Sequence, residues 1–600
     1  MINDMTIALA QMDVIPGQPR VNVDKMISMI QEAKQKNVDL ICFPEMCIGG
    51  YLLGDKFLED AYCEELMSYN SEILDASIDI AICYGNIYVD ENSNGYHPNK
   101  DGRSRKYNAV YVVQNGKYAK RSKENGILPF GVQPKTLLPN YRFFDDERYF
   151  FSLPDVATDF GKELKDLLSP FLISVGNTIV PVGVELCEDL WCRDYRALGE
   201  PINITNILIE AGAQKIINLS ASPWTFMKNN ARDRRVKFLK EQSKSFVKYY
   251  YVNCVGVQNN GKNIITFDGG STVYNENGDP CILSNKGWQE DLMIIDQKSS
   301  FESKMRKIGN TVQEKYKAIS NGLKKSSNIL GDNPNFVIGL SGGIDSSLVA
   351  TLLVLAFGKN NVVGVNMPSK YNSSKTKECA KTLANNLGIK YLIMPIEDMV
   401  KANSNTLESD GKVLSEFNLE NVQAKIRGTS IQSNLAAKYK AFFTNNGNKV
   451  EIALGYATLY GDWGGAISPI GDLTKTEVVD MCKYINEVVF GEDIIPNQLF
   501  PDSLWRFQED QIEPTAELKS NQVDPMKFGY HCKLLDELTN YQKKSIEDIM
   551  DWYLDGVLHE KLGISEQLML RWEIDNPKEF LRDLEWFYNT IQKNVFKRIQ

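Results

Sequence analysis

Seven residues, Ser341-Gly342-Gly343-Ile344-Asp345-Ser346-Ser347, stand between the apolar run Phe336 to Leu340 and LVATLLVLAF, a stretch of helical length and composition. In a strand, glycine loop, helix context the two glycines let the main chain approach a phosphate closely. The helix N-terminus aims free N–H groups at the anion, and the Ser341 and Ser346 hydroxyls add donors. Asp345 is out of place beside an anion unless it holds Mg²⁺, which reverses the local electrostatic logic. The loop lacks the Gly-Lys-Ser/Thr ending of a Walker loop, so γ-phosphoryl transfer is not its natural chemistry. Only three histidines occur, His97, His531 and His559, and none lies among other catalytic signals. A Ser-His-Asp or Cys-His mechanism is therefore disfavoured, and acid–base work falls to Glu, Asp or Lys.

The elements that position these groups follow from composition and periodicity. Six hundred residues predict about four structural units at roughly 150 residues each. With 43% hydrophobic, 10% aromatic and 24% charged residues the chain is globular and has apolar surface for more than one core, which excludes the disordered, collagen and disulfide-scaffold classes. Lys and Arg total 67 against 77 Asp and Glu, a net charge of -10 without a long basic block. Neither nucleic acid nor an anionic membrane is an expected partner, and an anionic ligand must be held locally. The start MINDMTIALAQMDVIP lacks a basic region followed by an apolar one, and no run approaches ~18 apolar residues. The eleven cysteines are scattered with no CxxC pair, so reduced thiols and a cytoplasmic location are expected.

Up to about residue 285, β-rich runs such as MTIALAQ, DLICFPE, AICYGNIYV and KIINLSAS alternate with helical periods, and several strands close as hairpins through Asn-Gly or Asn-Glu-Asn-Gly. That pattern suits a layered α/β sandwich with mixed sheets. From about 300, strand and helix alternate through FVIGL, VVGVN and YLIMPI, the signature of a doubly wound parallel sheet. The expected division is residues 1–290, a linker and lead-in helix over 291–325, and a second domain over 326–600. The polar stretch 403–418 reads as a mobile loop.

SGGxDS resembles the pyrophosphate loop of the N-type ATP pyrophosphatases, which cut ATP between its α and β phosphates and adenylate a substrate oxygen. Five later segments, NVQAKIR (421–427), GNKVE (447–451), GYATLYGD (455–462), DLTKT (472–476) and PTAEL (514–518), resemble in order the motifs of NAD synthetases. The resemblance implies a C-terminal doubly wound domain of the adenine nucleotide α-hydrolase kind. It implies that Ser341, Gly342, Gly343, Asp345, Ser346, Lys475 and Thr515 contact ATP, and that Asp345 and Glu451 hold Mg²⁺. It also places Asn421, Arg427 and Asp462 in the deamido-NAD site. By spacing alone, Gln423 and Arg427 could equally be a polar pair on the surface. Val450 stands where the family often has Ser, and a lost hydroxyl contact is expected there.

In the N-terminal half, Glu45 in FPE, Lys135 in KTLLPNY and Cys187 in VELCEDLW resemble the Glu-Lys-Cys triad of the nitrilase superfamily, implying an α/β/β/α sandwich. A thiol needs deprotonation to attack. Without a histidine, Glu45 would take the proton while Lys135 stabilises thiolate and oxyanion. Lys120 and Lys123 are rivals for the lysine role. At FDDERYF either Asp146 or Glu147 would support the triad. The resemblance further implies that Tyr141 and Ser222 line a glutamine pocket. Together the two halves imply a glutaminase that feeds ammonia along a protected path to an adenylated deamido-NAD⁺, with AMP, pyrophosphate and glutamate as by-products. Synthetase domains of this kind pair, so a homo-oligomer is expected. The alternative is another glutamine amidotransferase of the ATP pyrophosphatase type.

Overall fold

Alternation along the first strand, β1 (Ile7–Gln11), sets the layers of the N-terminal half. Ile7 and Leu9 join an apolar cluster with Val182, Val184 and Leu186, whereas Ala8 and Ala10 join another with Val23, Met26 and Ile30 of the helix Pro19–Gln35. Successive side chains of a strand point to opposite faces, so this sheet offers one face to a second sheet and the other to helices. The computed structural model describes residues 5–90, 104–194, 201–260, 263–306, 310–520, 522–540 and 543–598. It divides into two units, Met1–Gly309 and Asn310–Gln600.

The first unit contains β2 (Leu40–Cys42), β3 (Ala81–Asp90), β4 (Arg105–Gln114), β5 (Lys117–Tyr118) and β6 (Val132–Pro134). It continues with β7 (Phe171–Val175), β8 (Thr178–Leu186), β9 (Lys215–Ser220), β10 (Lys248–Asn253), β11 (Val255–Asn260), β12 (Asn263–Asp268), β13 (Thr272–Tyr274), β14 (Pro280–Leu283) and β15 (Asp291–Ile295). One sheet has the order β15-β1-β2-β3-β4-β5, with β6 also paired to β4; the other runs β14-β13-β10-β9-β8-β7. β1, β2 and β3 pair in parallel, as do β8, β9 and β10, while the outer pairs are antiparallel. The result is the expected α/β/β/α sandwich. The β4–β5 hairpin turns on Asn115 and Gly116, both at positive φ (50° and 69°), the geometry an Asn-Gly turn is suited to.

In the second unit β16 (Asn335–Gly339), β17 (Val362–Asn366), β18 (Lys390–Ile393) and β19 (Ala441–Phe443) form one parallel sheet in the order β18-β17-β16-β19. The chain winds outward from β16 to β18 and then returns to the other side of β16, so the winding reverses between β16 and β19. In such sheets ligands bind at the carboxyl ends of the strands beside that reversal. Val337, Val363 and Val365 pack on Ile426, Ile431 and Leu435 on one side. Phe336 and Ile338 lie buried on the opposite face. A separate apolar cluster gathers Val450, Leu454, Tyr530, Leu534, Ile549, Phe580 and Phe587 from later helices. Among the described residues no helix is long and apolar enough to cross a membrane.

Two expectations change. The division falls after Gly309 rather than near 290, because β15 completes the first sheet through Ile7 opposite Ile295, and the helix Thr311–Lys325 packs on the helices Ile344–Phe357 and Lys475–Tyr484. The segment 291–325 is thus shared between the units. The stretch 403–418 is helical at both ends, because the helix Glu397–Leu407 enters it and a reciprocal Ser415–Asn418 cap starts the helix Glu416–Lys425.

Gly342 has φ of 89°, and a Cβ there would lie 1.9 Å from the carbonyl oxygen of Thr376. Gly342→Ala should lower the stability of the second unit by about 2 kcal/mol or more, read as an earlier urea midpoint for that unit, while the first unit's transition stays in place.

Candidate active sites

In the first unit, three separate strand ends converge. Glu45 follows β2, Lys135 follows β6 and Cys187 follows β8 directly. Lys135 Nζ donates to Glu45 Oε1 at 2.7 Å, and both side chains are fully buried. Glu45 also accepts from Asn108 Nδ2 at 2.7 Å on Oε1 and from the Ala221 N–H at 3.0 Å on Oε2, which leaves acceptor capacity on Oε2. A carboxylate so held keeps one orientation. Lys135 also donates to the Tyr51 hydroxyl at 3.1 Å and to Asp146 at 3.5 Å, and Tyr51 donates to Asp146 at 2.8 Å. Burial pushes the Asp146 carboxyl up to about 6, against the pull of Lys135. Burial and the Glu45 carboxylate raise the Cys187 thiol above its ordinary range, and Lys135 opposes them. The thiol therefore rests protonated beside a carboxylate and an ammonium. Met46, Cys187 and Met227 all have left-handed backbones (φ 47°, 34° and 64°), a conformation that costs about 1–3 kcal/mol per residue and gathers where a site demands it.

Next to Cys187, Glu188 accepts from the Tyr141 hydroxyl at 3.1 Å. Ser222, Asn253, Trp191, Trp224, Lys228 and Asp268 line a small cavity. Ser222 is fixed by Asn253, whose Oδ1 accepts its N–H at 2.8 Å. Burial lowers the Lys228 ammonium, while the Cys187 and Glu188 charges act to raise it.

In the second unit a large cleft opens where the winding reverses. Ser341, Gly343, Asp345 and Ser346 after β16 line it, with Thr444, Asn446 and Gly447 after β19. Ser341 Oγ accepts the Gly343 N–H at 3.1 Å and bonds Ser346 Oγ at 3.1 Å, which shapes the turn into the helix Ile344–Phe357. Lys475 is 3% exposed and ion-paired to Asp345, with Glu451 at 3.5 Å. Burial pushes the Glu451 carboxyl up to about 7; Asp345 adds to the rise and Lys475 opposes it. Glu451 also caps its own helix by accepting the Asn448 N–H at 3.2 Å. Thr515, Arg427 and Asp462 line the same cleft.

A carbon–nitrogen hydrolase family model matches residues 6–306 and an NAD synthase model residues 313–561. The glutamine-dependent NAD(+) synthetase of Synechocystis is 31% identical, covering 86% of this chain and 85% of its own length; that of Thermotoga maritima is 31% identical over 89% and 88%. The chain belongs to the glutamine-dependent NAD(+) synthetase family. A solved synthetase from Acinetobacter baumannii, in complex with ADP, superposes with a TM-score of 0.67 at 25% identity, covering 96% of this chain and 94% of that one. The Cytophaga hutchinsonii synthetase shares the fold, with a TM-score of 0.71 at 20% identity, over 99% and 93%.

In this NAD synthetase family member burial distinguishes the candidate residues. Lys135 is buried against Glu45, while Lys120 is exposed and the exposed Lys123 side chain pairs with Asp166 at 3.8 Å. Asp146 is buried and bonded; Glu147 is exposed. Gln423 and Arg427 are no surface pair. Gln423 is 2% exposed and donates to the Leu518 carbonyl at 2.9 Å, and Arg427 donates to the Met367 carbonyl at 3.1 Å from a π-helical turn, Ile426–Gln432. Two residues stand apart from the cleft lining. Asn421 accepts from the Thr458 hydroxyl at 2.8 Å, and Gly342 packs against Thr376. Val450 is fully buried in the C-terminal apolar cluster, so its side chain makes an apolar contact. Sequence reading missed Tyr51, Asn108, Glu188 and Lys228. Asn108 carried a signal, as the one uncharged amide inside the apolar run YNAVYVV.

Lys135→Ala should reduce glutamate production by at least about a hundredfold, the usual loss when one charge-stabilising donor is removed, and Lys123→Ala should leave it within about threefold. With its carboxyl pushed up to about 6 by burial, Asp146 loses its charge, and with it the ionic attraction for Lys135, as pH falls through that value. Glutamine hydrolysis should therefore fall as pH drops through 6, and Asp146→Asn should be slower and lack that limb; a rate profile from pH 5 to 8 checks both.

Proposed function

We propose that this chain hydrolyses glutamine at Cys187 and uses the ammonia to convert deamido-NAD⁺ to NAD⁺ at the expense of ATP. The observation that carries the reading is the presence, in one chain, of a histidine-free thiol site and a non-Walker glycine loop at the reversal of a parallel sheet. In the first site Glu45 takes the Cys187 proton, and the thiolate attacks the glutamine amide carbon. Lys135 faces the developing oxyanion. Ammonia leaves with that proton, and water, activated by Glu45, releases glutamate from the thioester. Tyr141 and Ser222 hold the substrate, and Lys228 and Glu188 are suited to its α-carboxylate and α-ammonium.

In the second site the glycine loop and Thr515 hold the ATP phosphates, and Lys475 moves from its carboxylates to the phosphate charge. Arg427 and Asp462 hold deamido-NAD⁺, whose carboxylate attacks the α-phosphorus so that pyrophosphate leaves. Ammonia then displaces AMP from the acyl adenylate, leaving the amide of NAD⁺. Asp345 and Glu451 both reach the Lys475 ammonium, so they face one point that suits a cation. Among the described residues no cluster of three or more metal-ligating side chains gathers. Two carboxylates completed by phosphate oxygens and water are what Mg²⁺ accepts. When bound, Mg²⁺ would offset phosphate charge and ease the departure of pyrophosphate.

We also assign a homo-oligomer paired through the synthetase unit. Leu407, Val413 and Phe417 are 53%, 85% and 70% exposed on neighbouring segments, and sedimentation at the protomer mass would contradict pairing. The cytoplasm is the compartment we assign, since all eleven thiols are free and stay reduced there.

Cys187→Ala should abolish glutamine-supported NAD⁺ synthesis while ammonium chloride still supports it, measured as NAD⁺ and AMP release with each donor. XMP and aspartate should not replace deamido-NAD⁺. Asp345→Asn should lower pyrophosphate release by at least about a hundredfold with either nitrogen source; near wild-type release at low Mg²⁺ would remove the metal role.

A further inference from the structure

Asp189 follows Cys187 by two residues and is 1% exposed. Its two oxygens divide between two pieces of chain. Oδ1 accepts the N–H of Thr136 at 3.1 Å and of Leu137 at 2.8 Å, the residues directly after Lys135. Oδ2 accepts the N–H of Leu186 at 3.1 Å, the residue directly before Cys187. β6 belongs to the first sheet and β8 to the second, so one carboxylate links the two layers of the sandwich where the reacting groups meet. On the other side of Lys135, Gln133 donates to the Val184 carbonyl at 2.7 Å. Lys135 and Cys187 are thus flanked by two tethers between their segments. Cys187 also holds a φ of 34°, which an L residue keeps only where its surroundings enforce it.

We propose that Asp189 is a positioning residue that fixes the Lys135 ammonium relative to the Cys187 thiol by clamping the two segments together, with Gln133 as the second tether. The proposal rests on the glutaminase reading of Cys187. A carboxylate suits the task because, once ionised, it accepts on both oxygens and carries no hydrogen; burial and the Glu185 charge push it up to about 8, and the Leu186 and Leu137 N–H groups pull it back down. An asparagine offers one acceptor oxygen, and its NH₂ group would oppose a backbone N–H. Asp189→Asn therefore opens one half of the clamp while keeping side-chain size.

The test uses the full chain. In Asp189→Asn, kcat for glutamine hydrolysis should fall about a hundredfold, the scale of loss for a displacement near 1 Å. KM for glutamine should stay within about threefold, because Tyr141 and Ser222 are untouched. The rate of Cys187 alkylation by iodoacetamide, taken as the difference from Cys187→Ala, should need a pH about one unit higher, since the thiolate loses its ammonium. A merely structural role would raise KM together with the loss of kcat and leave the alkylation profile in place. Either that pattern, or kcat within threefold of wild type, overturns the clamp. If Asp189→Asn does not fold, Gln133→Leu carries the test: a fall in kcat of at least about fivefold at unchanged KM supports the clamp, and an unchanged kcat overturns it. Glutamine hydrolysis that survives Cys187→Ala would instead overturn the glutaminase reading.

Discussion

Burying a lysine ammonium costs several kcal/mol unless anions accept its charge, and this chain meets that constraint twice in the same way. Lys135 lies between Glu45 and Asp146, and Lys475 between Asp345 and Glu451. Two carboxylates around one ammonium leave one negative charge in excess when all are ionised. One acid of each set is pushed up, Asp146 to about 6 and Glu451 to about 7, chiefly by burial and further by the other carboxylate. Each site is thereby ready to receive one more positive charge. In the proposed reading that charge is the thiol proton in the first site and a metal ion in the second.

Neither lysine could be held in this way by a local motif. Glu45, Lys135 and Cys187 come from the ends of β2, β6 and β8, strands of two different sheets, and their geometry exists only when the sheets are packed. The inter-sheet cluster of Ile7, Leu9, Val182 and Leu186 does that packing. In the second unit, Asp345 follows β16, Glu451 follows β19 in chain order, and Lys475 opens a helix that packs on the helix Ile344–Phe357. The parallel sheet brings them together at the point where its winding reverses.

Much of this was legible in the sequence, and the reason is locality. The glycine loop 341–347 is a contiguous run whose strand and helix flank it directly, so its placement followed from residue order. The Asn115-Gly116 turn and the alternation of β1 were readable likewise. What depends on burial was not. Asp146 and Glu147 are adjacent and chemically alike; only the fold makes one a partner of Tyr51 and leaves the other exposed. The partnership of Gln423 with Leu518 spans 95 residues, and no local pattern records it. The boundary near 290 was misplaced because β15 is a short strand whose partner, β1, lies at the other end of its unit.

Ammonia in water near neutral pH is mostly ammonium, which is not a nucleophile, so the proposed coupling of the two reactions is most efficient if the ammonia is used before it equilibrates. Glutamine labelled with ¹⁵N at its amide measures this directly, with unlabelled ammonium kept well below the level that supports synthesis alone. The account predicts NAD⁺ labelled almost fully at the new amide, with one glutamate and one AMP formed per NAD⁺. NAD⁺ carrying mainly unlabelled nitrogen, or glutamate formed without NAD⁺ while both substrates of the second site are present, would contradict it.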